Sequence, residues 1–161
     1  MDYYRSIEVE TAQKHGAIAD ATRKSIGDFL LDGDIKRPVN VKSNNVDKKN
    51  YSPNIVSARR LIKWLECDGN ELYFIFVDYR QTESGILTLQ DSGLVAVEHI
   101  NWDCLTIEAQ GWGVIQMSKK LIINKNQDKK AFFKAMKIAY EKFMAKEAKK
   151  MLIIKNMIEN F

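Results

Sequence analysis

Histidine, cysteine and proline occur twice each in these 161 residues, and each shortage closes off some chemistry. His15 and His99 have no cysteine or acid at the spacing of a zinc site. Cys67 and Cys104 are too far apart for a zinc knuckle and too few for a disulfide framework, so both are expected to be reduced and structural. No glycine-rich phosphate loop is present, which excludes Rossmann and P-loop enzymes. Ser-His-Asp or Cys-His partners can be distant in sequence, but no local signature marks them. No apolar run approaches the roughly 18 residues of a membrane span, and the opening MDYYRSIEVE lacks the charged-then-apolar order of a signal peptide. A soluble, cytoplasmic protein is expected. With no internal repeat and no Gly/Ser/Pro linker, residues 1–161 read as one domain.

The chain has ample material for a core, at 45% hydrophobic and 29% charged residues. Its charge is uneven. From Ser118 onward there are twelve lysines against four acids, a segment charge of +8, whereas the whole chain carries only +4. Such asymmetry suits a polyanionic partner, although a solvated Lys-rich helix face gives the same count.

Residues 3–24 are helix-prone, with Ile7, Ala12, Ile18 and Ala21 as core contacts and Gly16 as a weak point. Phe29 to Leu31, the turn Asp32-Gly33-Asp34 and the alternating Ile35–Lys42 predict a hairpin opened by Asp28. Ser52-Pro53 supplies a cap and a first-turn proline, predicting a helix with Ile55, Ala58, Leu61, Ile62 and Leu65 on its apolar stripe. ELYFIFVDYR predicts a central strand covered on both faces. Shorter strands are expected at Ile86–Gln90, Leu94–Val97, Leu105–Glu108 and Val114–Met117. Asp128 caps a long final helix striped by Phe132, Phe133, Met136, Tyr140, Phe143, Met151, Ile154 and Ile158. Glu147 interrupts that stripe, and either a local pair with Lys150 softens it or the stripe is partly an exposed seam. The order of elements predicts an α/β (α+β) fold: a mixed central sheet flanked by helices, with a long C-terminal helix.

Candidate chemistry gathers in the hairpin. Asn40 and Lys42, two apart on a strand, share a face toward which Asp28 can approach from the neighbouring strand. A carboxylate, a backbone carbonyl and an ammonium are what phosphodiester hydrolysis with a hard Mg²⁺ requires, and Asp28, the Val41 carbonyl and Lys42 can supply them. A solvated lysine at a strand end is the competing reading.

The segment GDFLLDGDIKRPVNVKSNN resembles the core of the PD-(D/E)XK nucleases, and NYSPNIVSARRL resembles the stretch downstream of it in HincII-type restriction endonucleases. His99-Ile100-Asn101-Trp102 is similar to that family's Ile-Asn-Trp segment, and the Lys-rich last helix to its final helix. The resemblance runs from about residue 27 to the end and is strongest over 27–62. It implies a restriction-endonuclease-like fold and a homodimeric type II enzyme that cuts a short palindrome in double-stranded DNA with Mg²⁺. It makes Asp28 the first metal-binding acid and Lys42 the catalytic lysine, with Val41 and Asn40 completing the metal set. Asn40 stands where the family has Asp or Glu. The amide keeps a carbonyl oxygen but removes a negative charge, which fits a natural variant, an engineered inactivating change or a dead enzyme alike. Glu8 or Glu10 could compensate with a carboxylate. For DNA, the resemblance gives Asn54 as a base reader and Tyr51 as an inserted ring, a loop tyrosine packed on its own domain being the other reading; Asn101 is a second candidate base reader, and Asn44, Asn45, Lys48 and Lys49 are expected to touch phosphates. Trp102 is expected in the core. A silenced sequence-specific DNA-binding protein and a repair or junction nuclease are the alternatives on the same scaffold.

Overall fold

The structure, a computed structural model, describes residues 3–17, 26–49 and 53–161. Among the described residues it is mixed α+β, with a mixed sheet, a smaller antiparallel sheet and three α-helices of which the last is long.

The first helix, α1 (Tyr3–Lys14), is shorter than its sequence pattern predicts. It ends because Gly16, at φ 72°, turns the chain left-handed, and the Ala17 and Gly16 amides bond back to the carbonyls of Ala12 and Gln13. Gly16 thus terminates the helix rather than weakening its middle. Ile7 and Ala12 are buried as expected, whereas Ile18, Ala21 and the stretch to residue 24 lie outside the described residues.

The hairpin is formed by β1 (Phe29–Leu30) and β2 (Pro38–Asn45), antiparallel with Phe29 opposite Val39. Its second strand begins at Pro38, not Ile35. Residues 31–37 are folded into a compact loop by the bonds Asp34 N to Leu31 O and Arg37 N to Asp34 O, which leave Ile35 exposed. On its other edge β2 runs parallel to β4 (Tyr73–Thr82), with Val41 beside Ile75 and Lys42 beside Phe76. β4 also pairs antiparallel with β5 (Gly85–Asp91) and with β6 (Val95–Ala96). It is the central strand that its apolar run predicts, with Phe74, Ile75, Val77 and Tyr79 buried.

The connection between the parallel strands carries β3 (Asn54–Ser57) and α2 (Ala58–Leu65). The helix expected from Ser52-Pro53 therefore begins five residues later than the proline. The β-branched pair Ile55-Val56 enters a second sheet, β3–β8–β7, built with β7 (Leu105–Glu108) and β8 (Val114–Met117). Ser57, whose side chain accepts from the Arg60 amide, caps the helix instead; Ser52 lies outside the described residues. Ala58, Leu61 and Leu65 face the core, while Ile62 is 38% exposed.

Two cores result. On one face of the main sheet, Ile7 and Ala12 of α1 pack on Phe29, Val39, Val41, Ile75 and Val77. On the other, Phe74, Leu61, Leu72, Ile115 and Phe132 join the second sheet, α2 and α3 (Lys129–Glu159). Trp102 packs against the Phe132 ring at 5.4 Å, in the second core as expected. Asp128 caps α3 by accepting from the Ala131 amide at 2.7 Å. Only its first part is covered: Phe132 and Met136 are buried, but Met151, Ile154 and Ile158 are exposed by more than half. Glu147 makes the local pair with Lys150, at 3.1 Å. No helix among the described residues is long and apolar enough to cross a membrane.

Candidate active site at the open edge of the hairpin

β1 is only two residues long, so β2 outruns it and leaves backbone groups on that edge without a strand beside them. Asp28 fills the gap. Its amide donates to the Val39 carbonyl at 2.7 Å, and its carboxylate accepts from the Val41 amide at 2.6 Å, a charge-assisted bond that anchors it against β2. A strand residue directs its N–H and C=O to the same edge, so the Val41 carbonyl is turned toward the edge where Asp28 sits. Gly27 makes this approach feasible. A Cβ there would lie 2.7 Å from the Val39 carbonyl oxygen and 2.8 Å from Pro38 Cβ.

Asn40 and Lys42 lie on the opposite side of β2 from Val39 and Val41, as alternation requires. The Asn40 amide nitrogen donates to the Ile26 carbonyl at 3.0 Å, pinning the backbone two residues before Asp28. Lys42 lies within electrostatic reach of both Asp28 and Glu8. Burial raises the Asp28 carboxyl above its ordinary value, an effect opposed by the Val41 amide, Lys42 and Arg5. Burial likewise lowers the Lys42 ammonium, opposed by Asp28 and Glu8. Burial thus works against the charged form of each group, and their mutual attraction works for it. Glu8, bonded to Arg5 at 3.3 Å, is the α1 carboxylate beside this site, and Glu10 is exposed.

Among the described residues no group of three or more His, Cys, Asp or Glu side chains could hold a metal. A cation here would depend on the Asp28 carboxylate, the Val41 carbonyl and the Asn40 side-chain oxygen. That all-oxygen set suits a hard ion such as Mg²⁺ and carries little charge to bind it tightly.

Lys42 also lines a cleft of 660 Å³ between the ends of β2, β4 and β5 and the segment after β8. Lys119, Lys120 and Pro53 border it. Both lysines belong to the basic segment after Ser118, and their position directly after strand β8 is the signal in the sequence that points to this cleft.

The remaining candidates are spread over several elements. Asn44 lines the cleft and donates to Asp78 at 2.9 Å. Asn45 accepts from the Asp47 amide in the turn after β2, and Lys48 and Lys49 are exposed beyond it. Tyr51 lies outside the described residues. Asn54 of β3 joins two other amides, donating to Gln110 in the turn between β7 and β8 at 3.2 Å and accepting from the half-exposed Gln116 of β8 at 2.6 Å. Those two glutamines, on distant stretches of sequence, were not anticipated. Asn101 accepts from the Asp103 amide at 2.8 Å and so caps the turn carrying Trp102 and Cys104. Cys104 is buried, and burial raises its thiol pKa; Cys67 is exposed, and neither forms a disulfide.

Compared with known proteins, the chain matches no family model and no curated sequence.

Proposed function

We propose that this protein is a Mg²⁺-dependent endonuclease with the PD-(D/E)XK restriction-endonuclease-like fold, cutting a short palindromic site in double-stranded DNA as a cytoplasmic homodimer. The observation that carries the reading is a half-buried Asp28 carboxylate fixed by the Val41 amide at one sheet edge, with the half-buried Lys42 ammonium within electrostatic reach of it. The cleft beside Lys42, with Lys119 and Lys120 on its border, gives a polyanion a place to lie.

Asp28, the Val41 carbonyl and the Asn40 side-chain oxygen would hold the ion, which when bound lowers the pKa of water and stabilises charge on the phosphoryl oxygens. Asp28 keeps its orientation because the Val41 amide fixes one of its oxygens. Lys42 orients the attacking water and donates hydrogen bonds to the anionic transition state. Attack opposite the 3′-oxygen forms the new P–O bond as the P–O3′ bond breaks, leaving a 5′-phosphate and a 3′-hydroxyl. The amides Asn54, Gln110 and Gln116 offer donors and acceptors suited to base edges.

Incubation with phage DNA and Mg²⁺ tests this reading: discrete bands are expected, and Lys42→Ala should abolish them while duplex binding survives. A smear selective for branched substrates would instead indicate a repair or junction nuclease, and unchanged cleavage in Lys42→Ala would remove its assigned role. One observation favours a second reading, a DNA-binding protein with a silenced site. The Asn40 amide is engaged in holding Ile26, so the residue has a structural use that needs no metal.

A further inference from the structure

We infer that the free half of α3 is the self-association surface of this protein, pairing antiparallel with the α3 of a second copy. This gives the homodimer of the proposed function its interface, yet the surface is carried by α3 itself and needs no nuclease site. Tyr140, Met144, Glu147, Met151, Ile154, Ile158 and Phe161 follow one another at spacings of four and three residues without a break. That is the seam of a two-helix coiled coil, its helical part from Tyr140 to Ile158 spanning about 27 Å at 1.5 Å per residue and Phe161 following just past the end of α3. The seam is uncovered: Met151 is 71% exposed, Ile158 66%, and Phe161 fully. A helix face that exposes Met144, Met151, Ile154 and Ile158, with Glu147 as its one charged position, is unfavourable in water and calls for a second helix. Met151, Ile154 and Ile158, edged by Lys150 and Lys155, form a shallow, open apolar strip on one side of α3.

Charge and shape select the occupant and its direction. In a parallel self-pair the two Glu147 carboxylates would meet in one layer, and Lys150 would flank Lys155 of the other helix, both like-charge contacts. Antiparallel pairing about an axis near Met151 leaves one Lys150–Lys150 approach but separates the two Glu147 side chains and brings each near Lys155 of the second copy, so opposite-charge contacts outnumber like-charge ones. The same axis is eleven residues from Tyr140 and ten from Phe161, so the seam's two ends meet. At the Tyr140 end is a groove of 290 Å³ lined by Arg59, Ile62 and Trp112, with Tyr140 donating to the Trp112 carbonyl. Trp112 is 68% exposed there, beneath the Arg59 guanidinium at 5.2 Å. Phe161 of one copy and this groove of the other are knob and socket, each used twice in an isologous interface.

Sedimentation velocity of the full chain at micromolar concentrations should show a dimer. Met151→Glu combined with Ile158→Glu should make it monomeric with an unchanged circular dichroism spectrum and unchanged Asp28–Lys42 geometry. In a Cys67→Ser background, Met151→Cys should cross-link to itself on mild oxidation, and Phe161→Cys should not. A monomeric parent chain, a dimer that survives the double glutamate change, or a 161–161 disulfide would each overturn the proposal. Because sedimentation is independent of cleavage, a dimer that cuts no DNA would count against the nuclease reading alone.

Discussion

Replacing Asn40 with Asp tests the site and the local architecture together, because the two pull stability in opposite directions. The Asn40 amide donates to the carbonyl of Ile26, a residue only 8% exposed. A carboxylate cannot donate, and its oxygen would face the carbonyl oxygen at a distance where the amide now bonds. Losing a half-buried hydrogen bond in this way costs about 1–3 kcal/mol. In a chain of this size that corresponds to a fall of roughly 2–12 °C in the unfolding midpoint. The same change adds a negative charge to the oxygen set formed by Asp28 and the Val41 carbonyl. If that set binds Mg²⁺, an ion present at a hundredfold excess over its dissociation constant returns about 2.7 kcal/mol. Asn40→Asp should therefore melt below the parent chain in EDTA and recover most of the deficit as Mg²⁺ is added, with a larger response to Mg²⁺ than the parent shows. Thermal melts across a Mg²⁺ titration, run beside plasmid cleavage, measure both. Mg²⁺-dependent cutting gained by the variant would identify a silenced enzyme. A variant as stable as the parent in EDTA would refute the strut, and a midpoint indifferent to Mg²⁺ would refute the metal site.

Two further changes probe the same edge. Gly27→Ala places a Cβ 2.7 Å from the Val39 carbonyl oxygen, so the segment before Asp28 must lift from β2; cleavage and thermal stability should fall together, and a crystal structure with the 2.6 Å bond from Val41 to Asp28 intact would contradict this account. The pH dependence of stability has a defined sign for each group. The Asp28 carboxyl is raised by burial, so the folded state binds the extra proton and stability falls as pH climbs from the usual Asp value through the folded one. Lys42 is lowered by burial, so stability rises with pH between its folded value and the usual lysine value. Urea denaturation across pH should show both slopes, with the acid-side slope absent in Asp28→Asn; a slope retained in that variant would assign it to another carboxylate.

Legibility in the sequence followed the range over which each feature is determined. β7 and β8 were readable to the residue, and the cap of α3 at Asp128 was placed correctly, because apolar alternation and capping chemistry act within a few positions. The start of α2 was not. Pro53 and the following apolar spacing argue helix, but Asn54, Val56 and Ser57 pair with a strand some sixty residues away, with Ile55 at a bulge between them, and that ladder outweighs the local preference. Residues 28–42 contained the candidate cluster in plain view, since Asp28, Asn40 and Lys42 need only one hairpin to meet. Glu8 could be guessed from sequence but was placed beside Lys42 only by the packing of α1 on the sheet. The Asn54–Gln110–Gln116 trio was invisible beforehand because each amide is unremarkable in its own stretch and the second sheet alone brings the three together. A cleft assembled from β2, β4, β5 and the segment after β8 is likewise a property of the crossover topology, so its lysines could be counted from sequence but not aimed.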